Sequence, residues 1–113
     1  MQVRSIDTDI TAVALSGRLV LGRASEWLDY QVNDLLGKKH RKIILDLSEV
    51  HYIDSAGVGT IVGCAGKVKD AGGQLRVAGC QDRLLQILRM TGVDRVLALD
   101  ESVDTSRARL GEA

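Results

Sequence analysis

The chain has 113 residues, with 15 basic and 15 acidic side chains and no formal net charge. This length corresponds to one domain with a single hydrophobic core. Nucleic-acid binding normally needs a basic surface with aromatic side chains for stacking. One Trp, two Tyr and no Phe on a neutral chain therefore argue against that class of function.

The termini and cysteines indicate a cytoplasmic protein. Met1 to Asp7 is too polar for a signal peptide, and no apolar run approaches the roughly 20 residues of a membrane span. Cys64 and Cys80 lack metal-site spacing, so we expect two reduced, partly buried thiols and neither metal nor cofactor. No Pro or linker divides the chain, so residues 1–113 are predicted to be one domain.

Two strands and a helix begin the predicted fold. Val3 to Asp7 fits a weak edge strand, and Ile10 to Gly17 a stronger one with Val13 and Leu15 on the same face. A helix follows, with Gly37 ending it as a C′ residue. Its apolar stripe is Ala24, Leu28, Val32 and Leu35.

The middle of the chain predicts a buried strand followed by a helix. The basic run Lys38 to Lys42 precedes Ile43 to Leu47, so we interpret it as a solvated gatekeeper of the central strand. The helix runs from Ser55 to about Ala71 and ends at Gly72-Gly73. Its apolar positions are Val58, Ile61, Val62, Ala65 and Val68.

The last third alternates strand and helix twice more. Gln74 to Ala78 is predicted as a strand, followed by a helix capped by Asp82 and stopped by Gly92. Val96 to Leu99 is the last strand, and Ser102 or Asp100 caps a final helix. The order ββαβαβαβα predicts a compact α/β domain with parallel strand neighbours and helices favouring one face of the sheet.

The start of the second helix is the main candidate site. Ser55 lies at or next to the N-cap, where free N–H groups and the positive end of the helix dipole can accommodate a phosphate. Most serines at such positions only cap the helix. If Asp54 were the cap instead, the Ser55 hydroxyl would be free to face solvent.

Four glycines, Gly57, Gly59, Gly63 and Gly66, occupy the same helix, although each costs up to about 1 kcal/mol relative to Ala. The last three fall on one stripe. That stripe permits either tight packing against a neighbouring helix or docking of a partner beside Ser55.

A phosphate on Ser55 could switch an interface by charge alone. Phosphoserine adds about −1.5 to −2 charges at neutral pH, next to Asp54. A docked partner would have to desolvate that charge, while the fold survives. This hypothesis predicts that Ser55→Ala stays competent for binding and that Ser55→Asp binds more weakly.

These residues resemble the STAS family, the anti-sigma factor antagonists of bacterial partner switching. The resemblance rests mainly on Leu45 to Val50 followed by Tyr52 to Gly57, and it extends over essentially the whole chain. It implies a small mixed sheet with helices chiefly on one side, and no enzymatic activity. Further matching segments are Ser16 to Leu19, Ala71 to Leu75, Leu84 to Leu88 and Thr91 to Val93.

The resemblance also implies partners and a mechanism. The unphosphorylated protein would bind an anti-sigma factor that is also a serine kinase and so free a sigma factor. The kinase would phosphorylate Ser55 and release the protein, and a serine phosphatase would reset it. The implied partner-binding residues are Asp54, Ser55, Ala56, Gly57, Val58 and Gly59.

One departure from the family pattern lies in the loop before the first helix, where Val20 replaces an Asp that many members carry. The family also includes modules that bind transporters or assemble into scaffolds. A non-switching interaction module is therefore the alternative to an antagonist.

Two enzymatic alternatives fit the residues less well. A serine hydrolase elbow requires Gly two residues before the nucleophile, where this chain has Ile53. His40 and His51 are its only histidines, and neither is an obvious base. The segment Gly57 to Gly63 is one residue too long for the dinucleotide-binding glycine pattern.

Overall fold

A computed structural model describes residues 1–111 of the chain. It contains five strands, four α-helices and one short 3₁₀ turn at Val93–Arg95. In chain order the elements are β1 Gln2–Asp7, β2 Ile10–Leu19, α1 Arg23–Gly37, β3 Lys42–Ile53, α2 Ser55–Asp70, β4 Gln74–Ala78, α3 Asp82–Met90, β5 Ala98–Asp100 and α4 Val103–Gly111.

The strands form one mixed sheet in the order β1-β2-β3-β4-β5. β1 runs antiparallel to β2, and every other neighbouring pair is parallel. The parallel pairs follow from the helices that connect them, because such a crossover returns the chain to the same end of the sheet. The predicted α/β fold class and element order are confirmed.

Most helices cover one face of the sheet, as predicted. The main core joins apolar side chains of α1, α2 and α3 to the β2 side chains Val13 and Leu15. On the other face, Leu110 of α4 covers a smaller cluster. That cluster consists of Ile10, Ala12, Ile44, Ala78 and Leu110.

The central strand β3 is longer than predicted. The expected segment Ile43 to Leu47 is wholly within it, but the strand continues to Ile53. β4 pairs with β3 only as far as Asp46, whereas β2 pairs with β3 up to Ile53. This extension, partnered on one side only, leads the chain directly into α2.

The end of α1 differs from the prediction. Gly37 is still helical, and the left-handed residue is Lys39, with φ 69°. The N–H of His40 donates to the Leu35 carbonyl oxygen at 2.9 Å, and that of Lys39 to the Leu36 carbonyl oxygen at 3.0 Å. These two bonds form a Schellman motif that requires the left-handed residue two positions after Gly37. By contrast, Gly72, with φ 84°, ends α2 as expected.

Three details near the C-terminus are also settled by the structure. Asp82 is the first helical residue of α3 rather than its cap, which is Gln81. The last strand begins at Ala98 rather than Val96, because a 3₁₀ turn precedes it and leaves Val96 exposed. Ser102 caps α4, since its hydroxyl accepts the Thr105 N–H at 3.1 Å.

Candidate functional site

The N-terminus of α2 is capped by Asp54. Its backbone is extended, and one carboxylate oxygen accepts the Gly57 N–H at 2.8 Å. The other oxygen accepts the Leu21 N–H at 3.1 Å. The hydrogen bonds from Gly57 and then Leu21 lower the pKa of Asp54. One side chain therefore caps α2 and fixes the loop between β2 and α1 beside it.

Because Asp54 is the cap, Ser55 is not needed for capping. Ser55 is the first residue of α2, and its side chain is exposed. A modifying enzyme can therefore approach it from solvent. A group added to the hydroxyl would lie at the positive end of the helix dipole, and the Asp54–Gly57 bond would not have to break.

The six residues predicted to bind a partner do not share one environment. Ser55 and Gly59 are exposed, whereas Asp54 and Ala56 are half-buried. Gly57 and Val58 are buried. The last two hold α2 against the sheet, so they offer a partner little surface. Partner binding by this segment stays a prediction.

Gly57 is required by close packing. A Cβ at this position would run into the backbone carbonyl oxygen of Leu19 and would lie 2.9 Å from Cγ1 of Ile53. The same carbonyl oxygen accepts the Asp54 N–H at 3.3 Å. The beginning of α2 is therefore held close to the end of β2 by a contact that only glycine permits.

The other three glycines of α2 are not required by close packing. Within residues 1–111, a Cβ at Gly59, Gly63 or Gly66 would meet nothing within 4 Å apart from the helix itself and its immediate chain neighbours. All three are exposed. Tight packing against a neighbouring helix is therefore excluded for this stripe. It forms a smooth, open surface that begins one turn after Ser55.

The structure adds Leu21 to the candidate site, a residue that the sequence reasoning missed. Its side chain is 79% exposed, although its N–H is bound by Asp54. The preceding residue is held as well, because the Ser25 hydroxyl donates to the Val20 carbonyl oxygen at 2.8 Å. The sequence did contain a feature that could have pointed to Leu21, namely the apolar pair Val20-Leu21 immediately before the turn residue Gly22.

A second exposed feature lies at the end of β3. Tyr52 is 40% exposed, and the Arg18 guanidinium lies 4.5 Å from the centre of its ring. Arg18 and Tyr52 are opposite each other in the β2–β3 pairing, one residue before Leu19 and Ile53. This cation–π pair borders the strand ends from which the Ser55 segment emerges.

The basic run and the cysteines have ordinary structural surroundings. Lys38 pairs with Asp34 at 3.0 Å, and Lys42 pairs with Asp9 at 3.1 Å. Both cysteines are free thiols, as expected, but Cys64 is fully buried rather than partly buried. Burial raises the pKa of Cys64 and of Cys80 to about 11.

Comparison with known proteins identifies the family. The family model of the STAS domain matches residues 2–106. The chain belongs to the STAS domain family. An anti-sigma-B factor antagonist from Listeria monocytogenes is 27% identical to it over an alignment of 103 residues, which covers 88% of this chain and 86% of the relative. Matching regions also occur in transporter proteins.

Two solved structures share the fold. The protein TM1081 of Thermotoga maritima superposes with a TM-score of 0.87 at 22% identity, covering 96% of this chain and 92% of TM1081. The Bacillus cell fate determinant SpoIIAA in its phosphorylated form gives a TM-score of 0.73 at 16% identity, covering 96% of each chain. Within residues 1–111 of this STAS domain, none of the helices has the length and apolar character needed to cross a membrane.

Proposed function

We propose that this STAS domain is an anti-sigma factor antagonist whose binding is switched at Ser55. Unphosphorylated, it binds an anti-sigma factor that is also a serine kinase, and so controls transcription that depends on a sigma factor. Phosphorylation of Ser55 releases it, and a serine phosphatase restores binding. The observation that carries this proposal is the exposed Ser55 side chain on a helix that Asp54 already caps.

The surface around Ser55 suits reversible docking. Leu21 projects an exposed apolar side chain from a loop whose backbone is fixed by two hydrogen bonds. Gly59 and the rest of the glycine stripe let a partner approach the α2 backbone closely. Because the backbone that carries Leu21 is already held, binding a partner here costs little backbone entropy.

Phosphorylation can change this surface without unfolding it. A phosphate adds about −1.5 to −2 charges at neutral pH, and a partner would have to desolvate them. A penalty of about 2.8 kcal/mol is enough to weaken binding 100-fold. The helix dipole stabilises the added charge by about 0.3–1 kcal/mol, so the fold of α2 survives.

The relatives support the antagonist class. The Listeria relative is named an anti-sigma-B factor antagonist, and SpoIIAA has been solved in a phosphorylated form. No step of the proposed cycle requires this chain to catalyse a reaction. The kinase and the phosphatase supply the chemistry.

The proposal is tested by measuring binding to serine kinases of the anti-sigma type from the same genome. We expect Ser55→Ala to bind as tightly as the wild type and Ser55→Asp at least 10-fold more weakly. Ser102→Asp is the matched control, because it places the same charge at the N-terminus of α4 and retains a good cap. It should bind like the wild type.

Mass spectrometry after incubation with kinase and ATP completes the test. One phosphate per chain, located on Ser55, is the expected result. If no kinase modifies Ser55 and Ser55→Asp binds each partner as tightly as the wild type, the switch is refuted. The non-switching interaction module then becomes the better interpretation.

A further inference from the structure

A cleft lies away from Ser55, between α3 and the carboxyl ends of β4 and β5. It measures about 720 Å³, within the range of small-molecule sites. The proposed Ser55 switch makes no use of this cleft.

The inner walls of the cleft are apolar. Leu85 of α3 lines the cleft together with Leu97 and Leu99, which lie on either side of the start of β5. Leu97 belongs to the main core, and Leu99 packs against it, so this part of the wall is firmly held. Cys80 contributes a half-buried thiol, which burial keeps protonated by raising its pKa to about 11. The interior therefore offers hydrocarbon and a neutral thiol.

The rim of the cleft is negatively charged. Asp82, Asp94 and Glu101 contribute three carboxylates, against the single guanidinium of Arg89. Asp100 also borders the cleft, but Arg76 already neutralises its carboxylate. An anionic ligand would be repelled by this excess, whereas a cation would be attracted.

We propose that this cleft binds a small organic cation with an apolar portion, such as an alkylammonium. The hydrocarbon part lies against the leucine wall, and the ammonium group remains at the carboxylate rim. Burial of the hydrocarbon drives binding, and the rim selects the sign of the charge.

The two cysteines provide a built-in assay. N-Ethylmaleimide reacts with the thiolate form of accessible cysteines, so Cys80 in the cleft should react slowly at pH 7, because its pKa is raised, while the fully buried Cys64 serves as the unreactive internal reference. The full chain is treated at pH 7 with hexylammonium, hexanoate or hexanol at equal ionic strength, and each cysteine is followed by mass spectrometry. Amide signals of Leu85 and Leu97 in an NMR titration give a second readout that does not involve the thiol.

Hexylammonium should slow modification of Cys80 with half-protection at about 1–10 mM, as expected for so small a ligand. Hexanoate should be at least 5-fold weaker, with hexanol between the two. Asp94→Asn removes one rim carboxylate and should weaken hexylammonium binding about 3-fold. Asp70→Asn is the matched control, because it removes an exposed carboxylate from the end of α2 and should leave the affinity unchanged.

Two results would overturn the proposal. One is equal protection by hexanoate and hexylammonium, which would remove the role of the rim. The other is that hexylammonium changes neither the rate at which Cys80 is modified nor the amide signals of Leu85 and Leu97. Neither result bears on Ser55.

Discussion

Replacement of Gly57 by alanine tests how α2 is held against the sheet. The added methyl group would run into the Leu19 carbonyl oxygen and would lie 2.9 Å from Cγ1 of Ile53. The carbonyl oxygen cannot easily retreat, because it also accepts the Asp54 N–H at 3.3 Å. Either α2 shifts away from β2 or the end of β2 is displaced.

The expected free-energy change is a balance of opposing terms. Overpacking of this kind costs about 1–3 kcal/mol, and weakening the hydrogen bond to the Leu19 carbonyl costs about 1 kcal/mol. Alanine recovers up to about 1 kcal/mol of helix propensity. We therefore expect Gly57→Ala to lower the free energy of unfolding by about 1–3 kcal/mol. In Gly63→Ala the new Cβ enters open space, so only the gain in helix propensity remains. This variant should raise the free energy of unfolding by about 0.5–1 kcal/mol.

Urea unfolding at 25 °C, followed by circular dichroism, measures both changes. With a slope of about 1.5 kcal/mol/M, the midpoint should fall by about 0.7–2 M for Gly57→Ala and rise by about 0.5 M for Gly63→Ala. Unchanged slopes would show that both variants unfold as the wild type does. A midpoint for Gly57→Ala at or above that of the wild type would refute the close contact between α2 and β2.

Three further predictions concern other parts of the molecule. Burial alone would raise the pKa of Asp100, but hydrogen bonds from Arg76 and Ser106 outweigh it and leave the pKa below its ordinary value. The folded state therefore binds this proton less readily than the unfolded chain, and the stabilisation present above about pH 4 is lost as the pH falls. Asp100→Asn should lower the free energy of unfolding by about 3 kcal/mol at pH 7. It should also flatten the acid side of a plot of that free energy against pH, and an unchanged acid side would contradict this prediction. Lys39→Gly should stabilise the protein by about 1 kcal/mol in urea unfolding, because Lys39 occupies a left-handed conformation, and a lower midpoint would count against the Schellman motif. Leu21→Ser should leave the melting temperature unchanged, because the side chain is 79% exposed, but weaken binding of the kinase partner about 10-fold; unaltered affinity would remove this residue from the interface.

Much of the fold could be predicted because its elements carry local patterns. The β4 strand, Gln74–Ala78, was predicted with its observed bounds, since alternating apolar residues and flanking glycines mark both ends. Element boundaries that depend on residues distant in the chain were harder to predict from the sequence. β3 extends beyond Leu47 only because β2 runs alongside it as far as Ile53.

The candidate site was predicted in part for the same reason. A serine next to a helix start is visible in the order of residues, and so is the possibility that Asp54 supplies the cap. The projection of Leu21 from the surface was not visible. Leu19 and Leu21 are the same residue type two positions apart, yet one is 1% exposed and the other 79%.

The amino-acid sequence by itself determined the order of strands and helices and the presence of Ser55 at the start of α2, because hydrophobic periodicity and capping act over a few residues. Tertiary structure alone decided which glycine of α2 is indispensable. Gly57 faces the carbonyl oxygen of Leu19, whereas Gly59, two residues later, faces open space. The difference depends on a neighbour that is distant in the chain, and no local pattern encodes it.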